Sequence, residues 1–188
     1  MKTNSVRKLT IAALLIAMGV IIPMIMPKIV IGPASFTLAS HVPLFVAMFF
    51  SPSIAIAVAL GTAFGFMMTA PFIIALRALS HVVFAVIGAN YLQKHPEIIL
   101  SNKKFQVYNF IIGLVHASVE LIVVAIFFLA GNSAGATYEG NLFIFLFGFI
   151  GFGGLIHSMI DYNIAFFVMK SLSKAFDVPV FLKAKEIK

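Results

Sequence analysis

Residues 37–76 read TLASHVPLFVAMFFSPSIAIAVALGTAFGFMMTAPFIIAL, forty consecutive positions without a formal charge. A soluble domain is about a quarter charged, so this run cannot form a water-facing surface. It is also about twice the ~20 apolar residues that one bilayer-crossing helix needs. Ser51-Pro52-Ser53 divides it, because proline fixes φ, removes a backbone donor and so marks a tight turn. Two crossings joined by that turn are the expectation. The first of them, 38–50, is short and interrupted by Pro43, so a tilted or partly re-entrant segment is the rival reading.

Outward from this stretch the composition persists. Of 188 residues, 62% are hydrophobic and 10% charged, against about 45–50% apolar for soluble domains. Further apolar segments cover 9–26, 52–68, 71–93, 105–130 and 141–169, the first closed by Pro27. The fold class expected is an all-α integral membrane protein, a compact bundle of six transmembrane helices forming one domain over 1–188. Between the first two segments, 28–37 contains Gly32, Pro33 and Ser35 and reads as an ordered outer loop. Residues 94–104 form a polar, basic connection, 131–140 a small-residue loop, and the chain leaves the last segment through an amphipathic exit to a charged tail.

The net charge of +7 does not point to nucleic acid, because its placement is that of cytoplasmic flanks. Lys2, Arg7 and Lys8 precede the first span, Lys94, Lys103 and Lys104 lie in one connection, and Lys170, Lys174, Lys183, Lys185 and Lys188 follow the last span. These are eleven of the thirteen basic residues; Lys28 lies in an outer loop and Arg77 within a span. Both ends are therefore expected inside. The basic, apolar start resembles a signal peptide, but no small-residue cleavage site follows, and a retained first helix is expected. Cysteine is absent, which excludes disulfides and thiolate chemistry.

Within lipid, close helix approach depends on small residues. The first helix carries Ala12, Ala13, Ala17 and Gly19, with Ala13 and Ala17 on one face. The third carries Ala55, Ala59 and Ala63 at four-residue steps, with Gly61 and Gly65 alongside. Such faces serve internal packing or docking on another membrane protein, and spacing does not separate the two. The 21 phenylalanines are read as lipid-facing or core.

Ionisable groups at membrane depth are costly and usually mark a site. Three helices each carry a pair four residues apart: Arg77 and His81, His116 and Glu120, His157 and Asp161. That spacing puts both members on one helix face. At about 1.5 Å per residue, Arg77 lies ~9 Å and Glu120 ~16 Å below the outer ends of their helices, with His157 near mid-membrane and Asp161 below the rest. Ser40 and His41 add polarity at the outer start of the second segment. The upper cluster reads either as an internal Arg77–Glu120 bridge fixing the packing or as a ligand pocket in which the planar fork of Arg77 meets a carboxylate. His157 and Asp161 read as an interior pair tying helices together. Because the histidines lie on four separate segments, no metal and no cofactor is expected. No nucleophile–base constellation is legible, so no enzyme is expected either.

With these residues in view, the chain resembles the substrate-binding S-component of energy-coupling factor (ECF) vitamin transporters over essentially its whole length. The basic start Arg7-Lys8-Leu9-Thr10 running into Ala12-Ala13-Leu14-Leu15-Ile16-Ala17 carries part of that resemblance. It implies that Ala13 and Ala17 dock on a transmembrane coupling subunit, that two cytoplasmic ATPases supply energy, and that 28–37 gates the pocket. Consistently, the chain has no phosphate-binding Gly-x-x-x-x-Gly-Lys-Ser/Thr loop. The runs Ser40-His41-Val42-Pro43 and Leu76-Arg77-Ala78-Leu79-Ser80-His81 look like the niacin branch. That branch implies Arg77 on a pyridine carboxylate and a histidine or Ser80 on the ring nitrogen, with His41, His116 and Glu120 in the same pocket. Hydroxymethylpyrimidine, pantothenate and folate are the other vitamins considered, and a stand-alone proton-coupled carrier is the competing function. Expected partners are a vitamin, the coupling subunit, the two ATPases and the lipid of the cell membrane, without nucleic acid.

Overall fold

The computed structural model describes residues 5–31, 34–129 and 140–187. Five helices are long and apolar enough to cross a membrane: α1 (Ser5–Ile25), α3 (Pro52–Thr69), α4 (Phe72–Lys94), α5 (Asn102–Leu129) and the span Ile144–Leu172. The last of these opens with π-type turns over Ile144–Gly153 and continues as α6 (Gly154–Leu172). Between α1 and α3 lie an antiparallel hairpin, β1 (Lys28–Ile31) and β2 (Ala34–Thr37), and the short helix α2 (Val42–Phe50). A 3-10 turn at Pro96–Leu100 joins α4 to α5, and α7 (Pro179–Glu186) closes the chain.

Six crossings were expected; among the described residues five helices are of span length, and α2 is not one of them. With nine residues and a rise of about 1.5 Å each, α2 is ~14 Å long, less than half of the ~30 Å hydrocarbon core. Its limits are chemical. Pro43 sits in its first turn, where a missing N–H costs no helical bond. Before that, the backbone turns through Ala39 at a φ of 65°, a left-handed value that L residues seldom adopt. At the other end Ser51 is extended, and its Oγ accepts from the Ile54 N–H at 3.2 Å, capping α3 as α2 ends. The described residues are nearly all helical, as expected of an all-α membrane protein, with one short exception. Residues 28–37 form a hairpin in the register Lys28–Thr37, Ile29–Phe36, Val30–Ser35 and Ile31–Ala34. Gly32 and Pro33, and 131–139 of the small-residue loop, lie outside the described residues.

A short α2 inside a long bundle decides where everything else sits. Every residue from Val42 to Phe49 is buried. The Gln93 amide donates to the carbonyls of Met48 and Phe49, at 3.4 and 3.2 Å, tying the last turn of α2 to the last turn of α4. Lys183 of α7 reaches the same place, donating to the Gln93 carbonyl at 3.1 Å. Arg7 of α1 donates to the Asp177 carbonyl at 3.0 Å, so the start and the end of the chain meet. Five full crossings alone would leave the ends on opposite faces. They meet because the hairpin and α2 together make a return leg, of which only the lower half is helix.

That lower half is packed with rings. Phe45 stacks on Tyr162 at 4.2 Å between centroids, Phe105 on Phe166 at 4.1 Å, and Phe49 lies edge-on to Tyr162 at 5.9 Å. The Tyr162 hydroxyl donates to the Tyr108 hydroxyl at 2.9 Å, which donates to the Gly88 carbonyl at 2.8 Å, so the buried hydroxyls are satisfied. Gly61 and Gly65 lie against Ile16 and Val20 of α1, while Ala55, Ala59 and Ala63 are buried; on α3 small residues serve packing within the bundle. Phe45→Ala empties the fully buried centre of the stack. Such truncations cost about 3–5 kcal/mol, and thermal unfolding in detergent is expected to show a midpoint well below that of wild type.

Candidate ligand-binding site

The polar side chains named above gather where α2 begins. His41 immediately precedes α2, α4 supplies Arg77 and His81, α5 supplies His116 and Glu120, and α6 supplies His157 and Asp161. Each pair occupies one helix face, and the three faces turn toward one point. The His41 ring lies 4.9 Å from that of His81, 4.7 Å from His116 and 5.0 Å from His157, and His81 lies 4.8 Å from His116. The histidines come from four separate segments, as expected, yet their rings converge, and Asp161, expected below the other polar groups, lies with His157 against His41. A full-length second helix would start at the outer surface, whereas α2 starts deep in the bundle and brings His41 to the level of the others.

Asp161 holds this arrangement. Its Oδ1 accepts from the Ala39 N–H at 2.9 Å, and its Oδ2 accepts from the His41 N–H at 2.8 Å and lies 3.2 Å from His41 Nδ1. The carboxylate is wholly buried and sits at the positive end of the α2 dipole, where negative charge is favoured. His157 Nε2 lies 3.6 Å from the same oxygen and 3.1 Å from Ser40 Oγ. The interior tie expected for His157 and Asp161 therefore exists, and it reaches the turn before α2 rather than a neighbouring full-length helix.

On the opposite side Arg77 Nε donates to Glu120 Oε1 at 2.6 Å. The bridge foreseen as one of two roles for Arg77 is thus formed, yet it engages a single donor of the guanidinium. Among the described residues Nη1 and Nη2 have no hydrogen-bond partner. Around this pair opens a cavity of about 90 Å³. On a scale where one water needs about 10–15 Å³, that is room for one small ring. Ser35 and Thr37 of the hairpin, Ser40, His41, Arg77, His81 and Glu120 supply its polar wall, and Pro23, Phe66 and Ile74 part of its apolar one.

Not every residue expected in the pocket reaches it. The Ser80 hydroxyl donates to the Arg77 carbonyl at 2.7 Å, within its own helix, and does not line the cavity. His116 is 1% exposed and lies behind the lining, beside Glu120 at 3.8 Å. Conversely, Thr62 of α3 lines the cavity and was missed. It stands three residues after Ala59 and four before Phe66, both lining residues too, so its spacing carried the signal. Ala13 and Ala17 are exposed on α1, while Ala12, Leu15 and Gly19 face the bundle.

A cationic fork with free donors in a one-ring cavity invites comparison with known transporters. The chain is 49% identical over 188 residues to the niacin transporter NiaX of Lactococcus lactis subsp. cremoris, covering 99% of this chain and 83% of that protein. The chain belongs to the NiaX family of ECF S-components. No family model and no solved structure matches it. With five span-length helices, this NiaX-family protein is a multi-pass protein of the cell membrane.

The Arg77–Glu120 pair yields a direct test. Both side chains are nearly buried, at 12% and 4% exposure, and removing one partner of such a pair costs about 3–5 kcal/mol because the other charge is stranded. Glu120→Ala is therefore expected to lower the thermal midpoint in detergent more than the double replacement Arg77→Met with Glu120→Leu. Calorimetry or a fluorescence melt of the two variants reads the difference.

Proposed function

We propose that the protein is the niacin-binding subunit of an ECF-type importer, taking up the pyridine carboxylate from the outer side for ATP-driven delivery inward. One observation carries the reading: Arg77 lines a one-ring cavity with Nε committed to Glu120 and both terminal nitrogens free of protein partners among the described residues. A carboxylate accepts a parallel pair of N–H bonds from such an edge, which an ammonium cannot supply. The aromatic ring then rests between Phe66, Ile74 and Pro23, with its nitrogen toward the imidazoles. The relative named for niacin transport supports the same substrate.

The remaining parts fit that role. Ser35 and Thr37 come from the hairpin and line the cavity, so the hairpin lies over the bound ligand as a cover. The basic end, with Lys94, Lys183 and the meeting of Arg7 with Asp177, faces the cytoplasm by the positive-inside rule. The cavity lies beyond the N-terminal end of α2 and so opens to the other face. The chain acts as one domain. Energy comes from partners, a transmembrane coupling subunit and two ATPases, and the outward alanines of α1 are the surface on which the coupling subunit docks.

Two outcomes test the reading. Losing a buried charge-assisted contact costs about 2–5 kcal/mol, so Arg77→Ala is expected to weaken nicotinate at least about tenfold, each tenfold being about 1.4 kcal/mol. Nicotinamide, without the carboxylate charge, is expected to lose less, and Arg77→Lys to recover nicotinate only in part. Isothermal titration with both ligands decides; a wild type that ignores nicotinate overturns the substrate. Replacing both Ala13 and Ala17 with Trp is expected to abolish uptake in cells supplying the partner subunits while leaving nicotinate binding by the isolated protein intact. Normal assembly and uptake by that variant would overturn the docking face.

A further inference from the structure

We infer that His41, His81 and His116 form a binding site for a divalent transition-metal ion of the Zn²⁺ class at the floor of the cavity. One nitrogen from each imidazole lies within 4.8 Å of the other two. A Zn–N bond is about 2.0–2.1 Å, which sets ligating nitrogens in a tetrahedron ~3.3 Å apart, so each ring closes on an ion by a shift of under ~1 Å.

Three features separate this cluster from an ordinary set of packed histidines. The first is unmet bonding. His81 Nε2 and both nitrogens of His116 are buried without a hydrogen-bond partner among the described residues. Their nearest charged neighbour, Glu120, stands at 3.9 Å from His81 Nε2 and 3.8 Å from His116 Nε2, outside hydrogen-bond reach. An orphaned buried polar atom costs about 1–3 kcal/mol, and few are left so in folded proteins. The second is orientation. Asp161 Oδ2 lies 3.2 Å from His41 Nδ1, and a carboxylate accepting there leaves Nε2 of a neutral ring for an ion, the carboxylate–imidazole arrangement that typically orients a metal-bound histidine. The third is an open position: His41 and His81 line the cavity, so an ion there keeps a coordination site facing it. The alternative trio of His41, His157 and Asp161 is less suited, because His157 Nε2 is engaged by Ser40 and both Asp161 oxygens by the backbone.

Three imidazoles and an open position favour Zn²⁺, Co²⁺ or Ni²⁺ over the oxygen-seeking Mg²⁺ and Ca²⁺. The test uses the intact protein in detergent, chelator-treated and free of nicotinate, so that its outcome is independent of the substrate reading. Co²⁺ alone is titrated and followed by visible absorption, then displaced by Zn²⁺ in a calorimeter. One equivalent bound, with the intense bands of tetrahedral cobalt, is expected; His116→Ala is expected to abolish them, and Asp161→Asn to weaken binding about 10–100-fold by releasing His41. The melting temperature of wild type rises with bound metal, a readout that does not depend on any variant folding. A wild type that binds no Co²⁺ or Zn²⁺, or binding lost in His157→Ala but retained in His116→Ala, overturns the site.

Discussion

A single carboxylate, Asp161, receives the backbone N–H groups of Ala39 and His41 and the ring of His41 while itself fully buried. In hydrocarbon a helix end cannot be solvated, and each unsatisfied backbone group there costs several kcal/mol. Helix α2 starts inside the bundle, so its first turn must find an acceptor from another element, and α6 provides it. The charge of Asp161 is in turn stabilised by the donors and the dipole of the helix that it caps. Neither element can be placed without the other. The left-handed Ala39 is the local strain that this exchange sustains.

The site exists because α2 is short. A helix continuing outward from Val42 would occupy the volume that Arg77, His81 and Glu120 now line. Replacing its upper half by a hairpin leaves a void bounded by α1, α3, α4 and α5, with polar backbone and side chains at its floor. Helix α2 itself, by contrast, lies among stacked rings from Phe45 to Phe166. The molecule is thus graded along its length: close-packed and apolar at the basic end, open and polar at the other.

How much of this was written in the sequence differs by element. Long, predominantly apolar runs announced α1, α3, α4 and α5 to within a few residues, because length and hydropathy dominate in lipid. The four-residue spacing of the ionisable pairs likewise announced which faces turn inward. The segment 38–50 was legible only as ambiguous. Pro43 suits the first turn of a short helix as well as a kink in a long one, and which holds depends on Asp161, more than a hundred residues away. From that one non-local contact follow the depth of His41 and the approach of His157 and Asp161 to the rest. Ser80 illustrates a smaller limit: a serine on a helix can return its hydroxyl to its own backbone, and spacing does not say when it will.

Charge accounting connects the cavity to its floor. With the imidazoles counted as neutral, the buried formal charges are Arg77 at plus one and Glu120 and Asp161 at minus one each, a net of minus one, partly met by the helix dipole of α2. A ligand carboxylate adds another negative charge to a region of low effective dielectric, where interactions between close charges are several times stronger than in water. Arg77 meets it with Nη1 and Nη2, but the positive charge of Arg77 is already offset by Glu120. A divalent ion on His41, His81 and His116 brings the sum with bound ligand to zero. Its open coordination position would also face the cavity, within which the ring nitrogen of a proposed pyridine ligand, an aromatic nitrogen donor like imidazole, would lie. The carboxylate and the ring nitrogen of one small molecule would then be recognised at opposite ends by a guanidinium and a metal, which amides or esters of the same ring could satisfy only at one end. On that arrangement, selectivity for the free acid resides in the electrostatic balance of the whole floor rather than in any single contact.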